Sequence, residues 1–219
     1  MKETLKGVFS KGKDFYTKNL VPGISVYGEA LVNEGKDEFR YWNPFKSKLC
    51  ASLHKRVSQI GIKPGMVVLY LGSSTGTTVS HVSDIVDQGF VFAIDSSPRV
   101  MRELVRLCER RSNVAPLLAD ASHPERYAHR ISYVDAIYQD ISQKNQTEIF
   151  KKNVEMFLKP GGFGVLCIKA RSMDVTRAPR AVFAQVRKEL EIFITLVDYR
   201  ELDPFQKDHS IFICKKGNL

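Results

Sequence analysis

Cysteine is scarce in this sequence, and its cysteines lie far apart. Four are present, more than forty residues from one another and without a C-x-x-C pair: Cys50, Cys108, Cys167 and Cys214. Zinc fingers and disulfide-stapled scaffolds need closely spaced or abundant cysteines, so both classes are disfavoured. Each cysteine is expected to be a small buried apolar residue, and the protein to be cytoplasmic, where thiols stay reduced.

Long hydrophobic runs are also lacking. No stretch approaches the roughly 18 apolar residues of a membrane-spanning helix, and the opening segment Met1-Lys-Glu-Thr-Leu-Lys lacks the apolar core of a signal peptide. We therefore expect no membrane partner. Metal-ligand spacing is absent too, so no metal site is predicted from four of the histidines, His54, His81, His123 and His129.

Basic residues are in surplus. The 33 lysines and arginines against 24 acidic residues leave a net charge of +9, which favours a polyanionic partner, with nucleic acid the leading candidate. Residues 169–188 carry six basic side chains against one acidic and are the better RNA candidate. A second basic stripe is formed by Arg99, Arg102, Arg106 and Arg110. It could contact RNA or protein, or it could be a solvated face whose arginines pair with Glu103.

The most informative stretch runs from Val67 to Asp95. An apolar run ends in a Gly-rich turn, a helix-period segment follows, and a second apolar run ends in Asp95. This pattern predicts half of a nucleotide-binding βαβ unit. Gly72 and Gly76 would let the backbone approach a ligand, and Asp95 could accept both hydroxyls of a ribose. An adenosine-type cofactor is predicted, the alternative being a tight turn without a ligand.

The glycine spacing bears on which cofactor binds. Three residues separate Gly72 from Gly76, and Thr77 follows where a phosphate-binding P-loop would have Lys. The G-x-G-x-x-G pattern of a dinucleotide site is missing as well. S-adenosylmethionine therefore suits the turn better than NAD, although an NAD-dependent oxidoreductase stays an alternative.

Periodicity divides the chain into a small N-terminal β-rich region, 1–45, and a larger α/β domain, 46–219. Residues 1–24 are predicted to be a loose lead-in, followed by a hairpin of residues 25–32 and 38–42 and a helix that begins at the cap Asn43 and extends to Ile60. Strands are predicted near 67–71, 90–95, 114–118, 134–139, 163–169, 192–199 and 210–215. Helices are predicted near 77–87, 98–111, 144–157 and 178–190. This alternation indicates a mainly parallel, doubly wound sheet whose ligands gather at the carboxyl ends of the strands.

Charged residues follow four of these strands: Asp95, Asp120, Asp140 and Lys169. Any one of them could be a helix cap or a solvated turn residue. Together, along one edge of one sheet, they predict a binding site. Lys169 ends an apolar strand and is expected to be buried with a partner.

The chain resembles the fibrillarins from about residue 18 to residue 216, because many short motifs of that family occur in it in the same order. They are Lys18-Asn-Leu-Val-Pro-Gly23, Val26-Tyr-Gly-Glu29, Trp42-Asn-Pro44, Ser47-Lys-Leu49, Leu69-Tyr-Leu-Gly72, Gly76 to Asp84, Ser97-Pro-Arg99, Lys169-Ala-Arg-Ser172 and Lys207-Asp-His209. No Gly/Arg-rich N-terminal extension is present, so the chain is more similar to the archaeal fibrillarin-like RNA 2'-O-methyltransferases than to the eukaryotic nucleolar form.

The resemblance implies a Rossmann-like S-adenosylmethionine-dependent methyltransferase fold. Its mainly parallel seven-stranded α/β sheet would carry an antiparallel seventh strand, beside the small N-terminal β-hairpin region, and residues 46–219 would be the methyltransferase domain. The implied reaction is methylation of a ribose 2'-hydroxyl in rRNA or tRNA. The implied partners are a C/D-box guide RNA, a Nop-domain scaffold protein and a kink-turn RNA-binding protein.

The resemblance also implies functional positions. Cofactor contacts would fall at the turn residue Gly72 and at Thr77, Thr78, Asp95, Ser96, Asp120, Ala121, Asp140, Ile141, Ser142 and Gln143. The catalytic group would be Lys48, Asp140, Lys169 and His209. Two departures from the family pattern bear on cofactor affinity: Ser74 stands where Ala is common, and Asp95 where Glu is frequent.

A ribose 2'-hydroxyl is a poor nucleophile at neutral pH, so its proton needs an acceptor. Lys169 is the predicted acceptor, with Lys48 and desolvation depressing its pKa, Asp140 holding the amine and His209 orienting or relaying. Lys48 as the base is an open alternative. A different class of function, a non-catalytic RNA-binding scaffold that retains the fold, is disfavoured because both lysines and Asp140 are intact.

Overall fold

The computed structural model describes residues 1–218, and they begin with a five-stranded antiparallel sheet. In the order β1-β2-β3-β5-β4, its strands are β1 (Lys2–Leu5), β2 (Val8–Lys11), β3 (Asp14–Lys18), β4 (Leu31–Glu34) and β5 (Asp37–Trp42). The predicted loose lead-in over residues 1–24 is therefore wrong. The first three strands are short and show no regular alternation of buried and exposed residues: β1 is largely exposed, and in β3 the neighbours Tyr16 and Thr17 are both buried. Gly7 and Gly12 supply the positive φ of the turns between them.

The predicted hairpin is present, but its first strand begins at Leu31 rather than at residue 25. Residues 26 and 27 instead turn around Glu29, whose carboxylate accepts both of their backbone N–H groups. The first helix, α1 (Lys48–His54), is also shorter than predicted. Its N-cap is Ser47, whose hydroxyl accepts the N–H of Cys50, whereas the Asn43 side chain closes a turn that precedes the helix.

A seven-stranded sheet forms the larger layer. Its strands are β6 (Val67–Leu71), β7 (Phe90–Asp95), β8 (Val114–Leu118), β9 (Val134–Gln139), β10 (Leu158–Lys169), β11 (Thr195–Glu201) and β12 (His209–Lys215). The order is β11-β12-β10-β9-β6-β7-β8, and only β12 runs antiparallel to its neighbours. The predicted sheet with its antiparallel strand is confirmed.

Helices cover both faces of this sheet. After α1 come α2 (Thr77–Ile85), α3 (Pro98–Cys108), α4 (Gln146–Phe157), α5 (Ala170–Met173) and α6 (Pro179–Glu191), with short 3-10 turns at Pro124–Arg126 and Ala128–Arg130. One apolar core lies between the sheet and α1, α2 and α3, and a second lies beneath α4 and α6. No helix within residues 1–218 has the length and hydrophobicity needed to cross a bilayer.

The strand order reverses between β6 and β9, which are neighbours although β7 and β8 lie between them in sequence. At such a switch point the connections leave in opposite directions and open a crevice at the carboxyl ends of the strands. The Gly-rich turn after β6 and the loop after β9 border this crevice.

Candidate active site

The turn after β6 is packed against the end of β9. Gly72 has a φ of +84°, and a Cβ built on it would lie 2.2 Å from the carbonyl oxygen of Asp140. The Asp140 N–H in turn donates to the carbonyl of Leu71 at 2.9 Å. Any side chain at position 72 would therefore force the two loops apart, which explains the glycine.

A cleft of about 340 Å³ opens beside this turn, at the carboxyl ends of β6 to β9. Nine of the predicted cofactor residues line it: Gly72, Asp95, Ser96, Asp120, Ala121, Asp140, Ile141, Ser142 and Gln143. Sequence reasoning missed three lining residues, Ser74, Ile94 and Ala119. Each adjoins a predicted residue or the glycine turn, so chain adjacency was the available signal.

The Asp95 carboxylate is held rigidly at the floor of the cleft. One oxygen accepts the N–H of Ser74 and the other the N–H of Ser97, both at 2.9 Å. Each carboxylate oxygen can accept more than one hydrogen bond, so both keep capacity for the paired hydroxyls of a ribose. Ser74 reaches this position with a φ of +49°, a conformation uncommon outside glycine.

Asp120 shapes the far wall. Its carboxylate accepts the N–H of Ser122 at 2.8 Å, and this hydrogen bond holds the pKa of Asp120 below its usual range. The Ser122 hydroxyl donates to Gln143 Oε1 at 3.1 Å. The loops after β8 and β9 are thereby linked across the cleft.

A second cavity, of about 280 Å³, continues the first. The two share Gly72, Ser74, Asp140 and Ser142. The second adds Lys48 and the two predicted threonines, Thr77 and Thr78. We refer to the pair as one cleft with a ribose end at Asp95 and a lysine end at Lys48.

Lys48 and Asp140 form an ion pair at the lysine end. Lys48 Nζ donates to both carboxylate oxygens, at 2.8 and 2.7 Å, and the side chains are 19% and 23% exposed. Burial alone would lower the pKa of Lys48, but the Asp140 charge and hydrogen bonds outweigh it and raise the pKa. Lys48 is therefore a cation at neutral pH, which argues against the alternative in which it is the base.

His209 lies on β12 directly opposite Lys169 on β10. Opposed residues of an antiparallel pair share one face, with Cβ atoms about 5 Å apart. His209 Nδ1 lies 2.6 Å from the carbonyl oxygen of Lys207, which can only accept, so Nδ1 donates and Nε2 keeps its lone pair. Burial and then the Lys48 charge lower the pKa of His209, so the ring is neutral at neutral pH.

The four predicted catalytic residues converge at this end of the cleft. The charges of Lys48, Asp140 and Lys169 all act on His209. One expectation is wrong: Lys169 is exposed rather than buried, and within residues 1–218 its amine has no ion pair. It ends an apolar strand, but the strand's last side chain points out of the core.

Thr78 has a structural role in addition to its predicted one. Its hydroxyl donates to the hydroxyl of Ser47 at 3.0 Å, and Ser47 caps the helix that begins with Lys48. This bond joins α2, the helix after the glycine turn, to the backbone that carries Lys48. Sequence reasoning missed Ser47 because its partner is distant in the chain.

The residues present fit an adenosyl cofactor. The Ser73 hydroxyl is buried and has no hydrogen-bond partner among residues 1–218, and it lines the lysine end of the cleft. Gly72, which has no Cβ, leaves room for such a molecule. The anchored Asp95 carboxylate supplies acceptors, and the Ser73 hydroxyl supplies a donor or an acceptor. No group of three or more His, Cys, Asp or Glu residues in the described chain could hold a metal ion.

The arginine stripe lies on the exposed side of α3, and the groove it borders adjoins the cleft at Thr77, which lines both. Arg106 and Arg110 line a groove of about 550 Å³ against residues 21–27. Within residues 1–218, Glu103 forms no ion pair with Arg99 or Arg106. Contact of the stripe with RNA and contact with protein both stay open as alternatives.

The sequence and the fold have counterparts among known proteins. The Thermococcus onnurineus fibrillarin-like rRNA/tRNA 2'-O-methyltransferase is 48% identical over 201 residues, 91% of this chain and 89% of that protein. A Methanococcus jannaschii fibrillarin pre-rRNA processing protein superposes with a TM-score of 0.95 at 43% identity, covering 100% of this chain and 97% of the other.

Two further solved structures include a ligand or a partner. Aeropyrum pernix fibrillarin in complex with natively bound S-adenosyl-L-methionine has a TM-score of 0.85 and 41% identity, over 92% of this chain and 88% of that one. A fibrillarin/Nop5p complex has a TM-score of 0.89 and 41% identity, over 98% and 100%. The family model described as Fibrillarin matches residues 1–218. This chain belongs to the fibrillarin family.

Proposed function

We propose that this protein transfers a methyl group from S-adenosylmethionine to a ribose 2'-hydroxyl in rRNA or tRNA, at a position chosen by a C/D-box guide RNA. One observation carries the proposal: a single cleft joins a ribose-binding carboxylate, Asp95, to the Lys48–Asp140 pair. The names of its relatives and the cofactor bound to the Aeropyrum protein support it.

The cofactor, when bound, supplies an electrophilic methyl group. The predicted set would hold it: Asp95 on the ribose hydroxyls, Asp120 and Gln143 on the far wall, and the glycine turn against its backbone. Asp140 lines both cavities and Lys48, paired with it, lines the second, so the two would orient the reacting groups there. Orientation of this kind supplies much of the rate in a displacement reaction.

The proton of the 2'-hydroxyl must leave as the oxygen attacks. Lys48 is held as a cation by Asp140 and cannot take it. Lys169 stands on the same sheet face as His209 and has no carboxylate partner within residues 1–218. We assign it as the acceptor in its neutral form, which it reaches by first losing its own proton to solvent. His209 is neutral, with Nε2 free to orient the hydroxyl or to relay the proton.

Assembly is part of the proposal. A related fibrillarin forms a complex with Nop5p, which supports a Nop-domain scaffold as a partner of this chain. A C/D-box guide RNA and a kink-turn RNA-binding protein complete the proposed particle, and the net charge of +9 suits the RNA. A cytoplasmic location accords with the four unpaired cysteines.

The test is transfer of labelled methyl to a guide-matched RNA in the presence of the scaffold partners. Two targets differ only at the selected nucleotide, which carries a 2'-hydroxyl or a 2'-deoxy group. Label in the first and none in the second is expected. Equal label would mean base methylation, and absence of label despite measurable cofactor binding would favour the non-catalytic scaffold.

A further inference from the structure

Phe45 is a large apolar side chain that the fold leaves in solvent. It is 64% exposed, although the neighbouring Pro44 and Ser47 are buried. The turn that presents it is well fixed: the Phe45 N–H donates to Asn43 Oδ1 at 2.8 Å, and Gln206 Nε2 donates to the carbonyl of Pro44 at 3.0 Å. The ring is therefore held outward by a rigid support.

The ring stands at the rim of the lysine end of the cleft. Its edge meets Phe205, with ring centroids 5.4 Å apart and planes at 64°. Phe205 belongs to the loop that leads to His209, and Lys46 on the other side lines the cavity with Lys48. The aromatic pair is therefore connected through the chain both to the lysine end of the cleft, at Lys46, and to His209.

The charges around the ring favour RNA as the molecule that covers it. The exposed cations Lys46, Lys169 and Lys207 belong to the segments that border the rim. Of the two carboxylates in the loop that carries Phe205, Asp208 is paired with Arg171 at 3.2 Å, whereas Asp203 is exposed. An exposed aromatic ring flanked by cations is the combination with which proteins hold single nucleotides, since bases stack on the ring while phosphates meet the cations.

We propose that Phe45 packs against a nucleobase next to the ribose that is methylated, and so sets the position of the RNA strand over Lys48. This inference rests on the proposed function. Stacking tolerates every base because each has a π face. Phe45 could therefore position any target that a guide selects.

The first measurement is the KM for guide-matched RNA in the assembled particle. For Phe45→Ala it should rise by about 5- to 100-fold, the range that loss of one base-aromatic contact produces. Cofactor affinity should be unchanged, and Phe45→Tyr should restore the KM. The matched control is Tyr133→Ala. Tyr133 is 67% exposed, but it precedes the first residue of β9 and so lies at the end of that strand opposite the cleft.

A second measurement needs no turnover. The chain has one tryptophan, Trp42, which is buried, so Phe45→Trp adds a single exposed reporter. Target RNA should quench its fluorescence, whereas the same RNA should leave wild-type fluorescence unchanged.

Unquenched fluorescence together with an unchanged RNA KM for Phe45→Ala would overturn the proposal. A Phe45→Ala variant that loses affinity only for the Nop-domain scaffold would also overturn it, since the ring would then meet protein. Should the wild-type particle transfer no methyl, the proposed function fails, while the quenching still decides whether Phe45 meets RNA.

Discussion

Two clusters of charged side chains in this molecule look alike in sequence and differ in the fold. One lies between the N-terminal sheet and α2, and we call it the seam. Arg40 there pairs with Glu29 at 2.6 Å and with Asp84 at 2.8 Å, and Arg111 pairs with the other oxygen of Asp84 at 2.6 Å. All four side chains are buried. The other cluster is the lysine end of the cleft.

The seam is almost fully hydrogen-bonded. Thr17 donates to Asp84 at 2.8 Å, so its single hydroxyl hydrogen is used, and His81 Nδ1 must donate to Thr17. The Tyr27 hydroxyl lies 2.8 Å from His81 Nε2 and 3.1 Å from the carbonyl oxygen of Tyr41, so its single hydrogen is shared between these two acceptors. Each charged side chain of the seam has a partner within the protein, and within residues 1–218 only Arg111 Nη2 among their polar atoms is buried without one, which leaves little for a ligand to bind.

The cleft is open by comparison. Lys48 and Asp140 are partly exposed, His209 keeps a lone pair on Nε2, and the amine of Lys169 is in solvent. Burial with complete pairing stabilises an interface, whereas partial exposure with unused hydrogen-bonding capacity permits catalysis. Residue type alone separates neither case from the other. We expect substitutions in the cleft to lower activity and those in the seam to lower stability.

The largest effect is expected for Lys169→Arg. Guanidinium keeps the charge but is not deprotonated in proteins, so the methyl-transfer rate should fall by about 10²- to 10⁴-fold, the usual contribution of a general base. Unfolding free energy and cofactor affinity, measured by denaturation and calorimetry, should not change. Retained activity in this variant would remove Lys169 as the proton acceptor.

Arg40→Met should produce the largest loss of stability. It leaves the buried Glu29 carboxylate with backbone N–H donors but no cation, and Asp84 with one arginine instead of two, and removal of one partner of a buried ion pair costs about 3–5 kcal/mol. Denaturant unfolding measures the loss. The matched control is Lys18→Met. It breaks an exposed ion pair, in which Lys18 Nζ lies 2.7 Å from Asp37 Oδ1, and should cost less than about 1 kcal/mol of stability. Equal losses in both variants would refute the contrast between buried and exposed pairs.

The seam should also make stability depend on pH. Burial and then the charges of Arg40 and Arg111 hold the pKa of His81 well below its usual range. The unfolded chain takes up a proton below about pH 6.5 that the folded chain does not. The unfolding free energy therefore decreases as the pH is lowered, by up to about 1.4 kcal/mol per pH unit.

Unfolding free energies at pH 7.5, 6.5 and 5.5 would test this slope. His54 and His209, whose pKa values are also lowered, add to it in the same direction, so the measurement is best made on the double variant His54→Gln and His209→Gln. A free energy that does not change over this range would contradict the assignment of His81 as a buried neutral ring.

The smallest effect is expected for Ser47→Ala, which removes both the N-cap of α1 and the partner of Thr78. Loss of a cap costs about 1 kcal/mol of stability. Because α1 begins with Lys48, kcat should fall several-fold while the KM for RNA is unchanged. Ser47→Thr should restore both quantities, and an Ala variant with wild-type stability and kcat would show that this link does not position Lys48.

Much of the cleft was predictable because its residues follow strong local patterns. The glycine turn, Asp95 and Asp120 come directly after apolar runs, and parallel strands bring such ends together. The N-terminal strands were missed because they are four or five residues long and their buried and exposed residues do not alternate, so they give little periodicity. The length of α1 was missed because its cap, Ser47, was hidden behind the stronger Asn43-Pro44 signal.

The sequence by itself determined the alternation of strands and helices, the position of the glycine turn and the family, because each depends on residues that are neighbours in the chain. The tertiary structure alone decided which charges meet. Lys48 and Asp140 are 92 residues apart and Thr78 and Ser47 are 31 apart. The exposure of Lys169 and Phe45 was decided in the same way. Such pairings depend on how distant segments pack, and local periodicity carries no information about that packing.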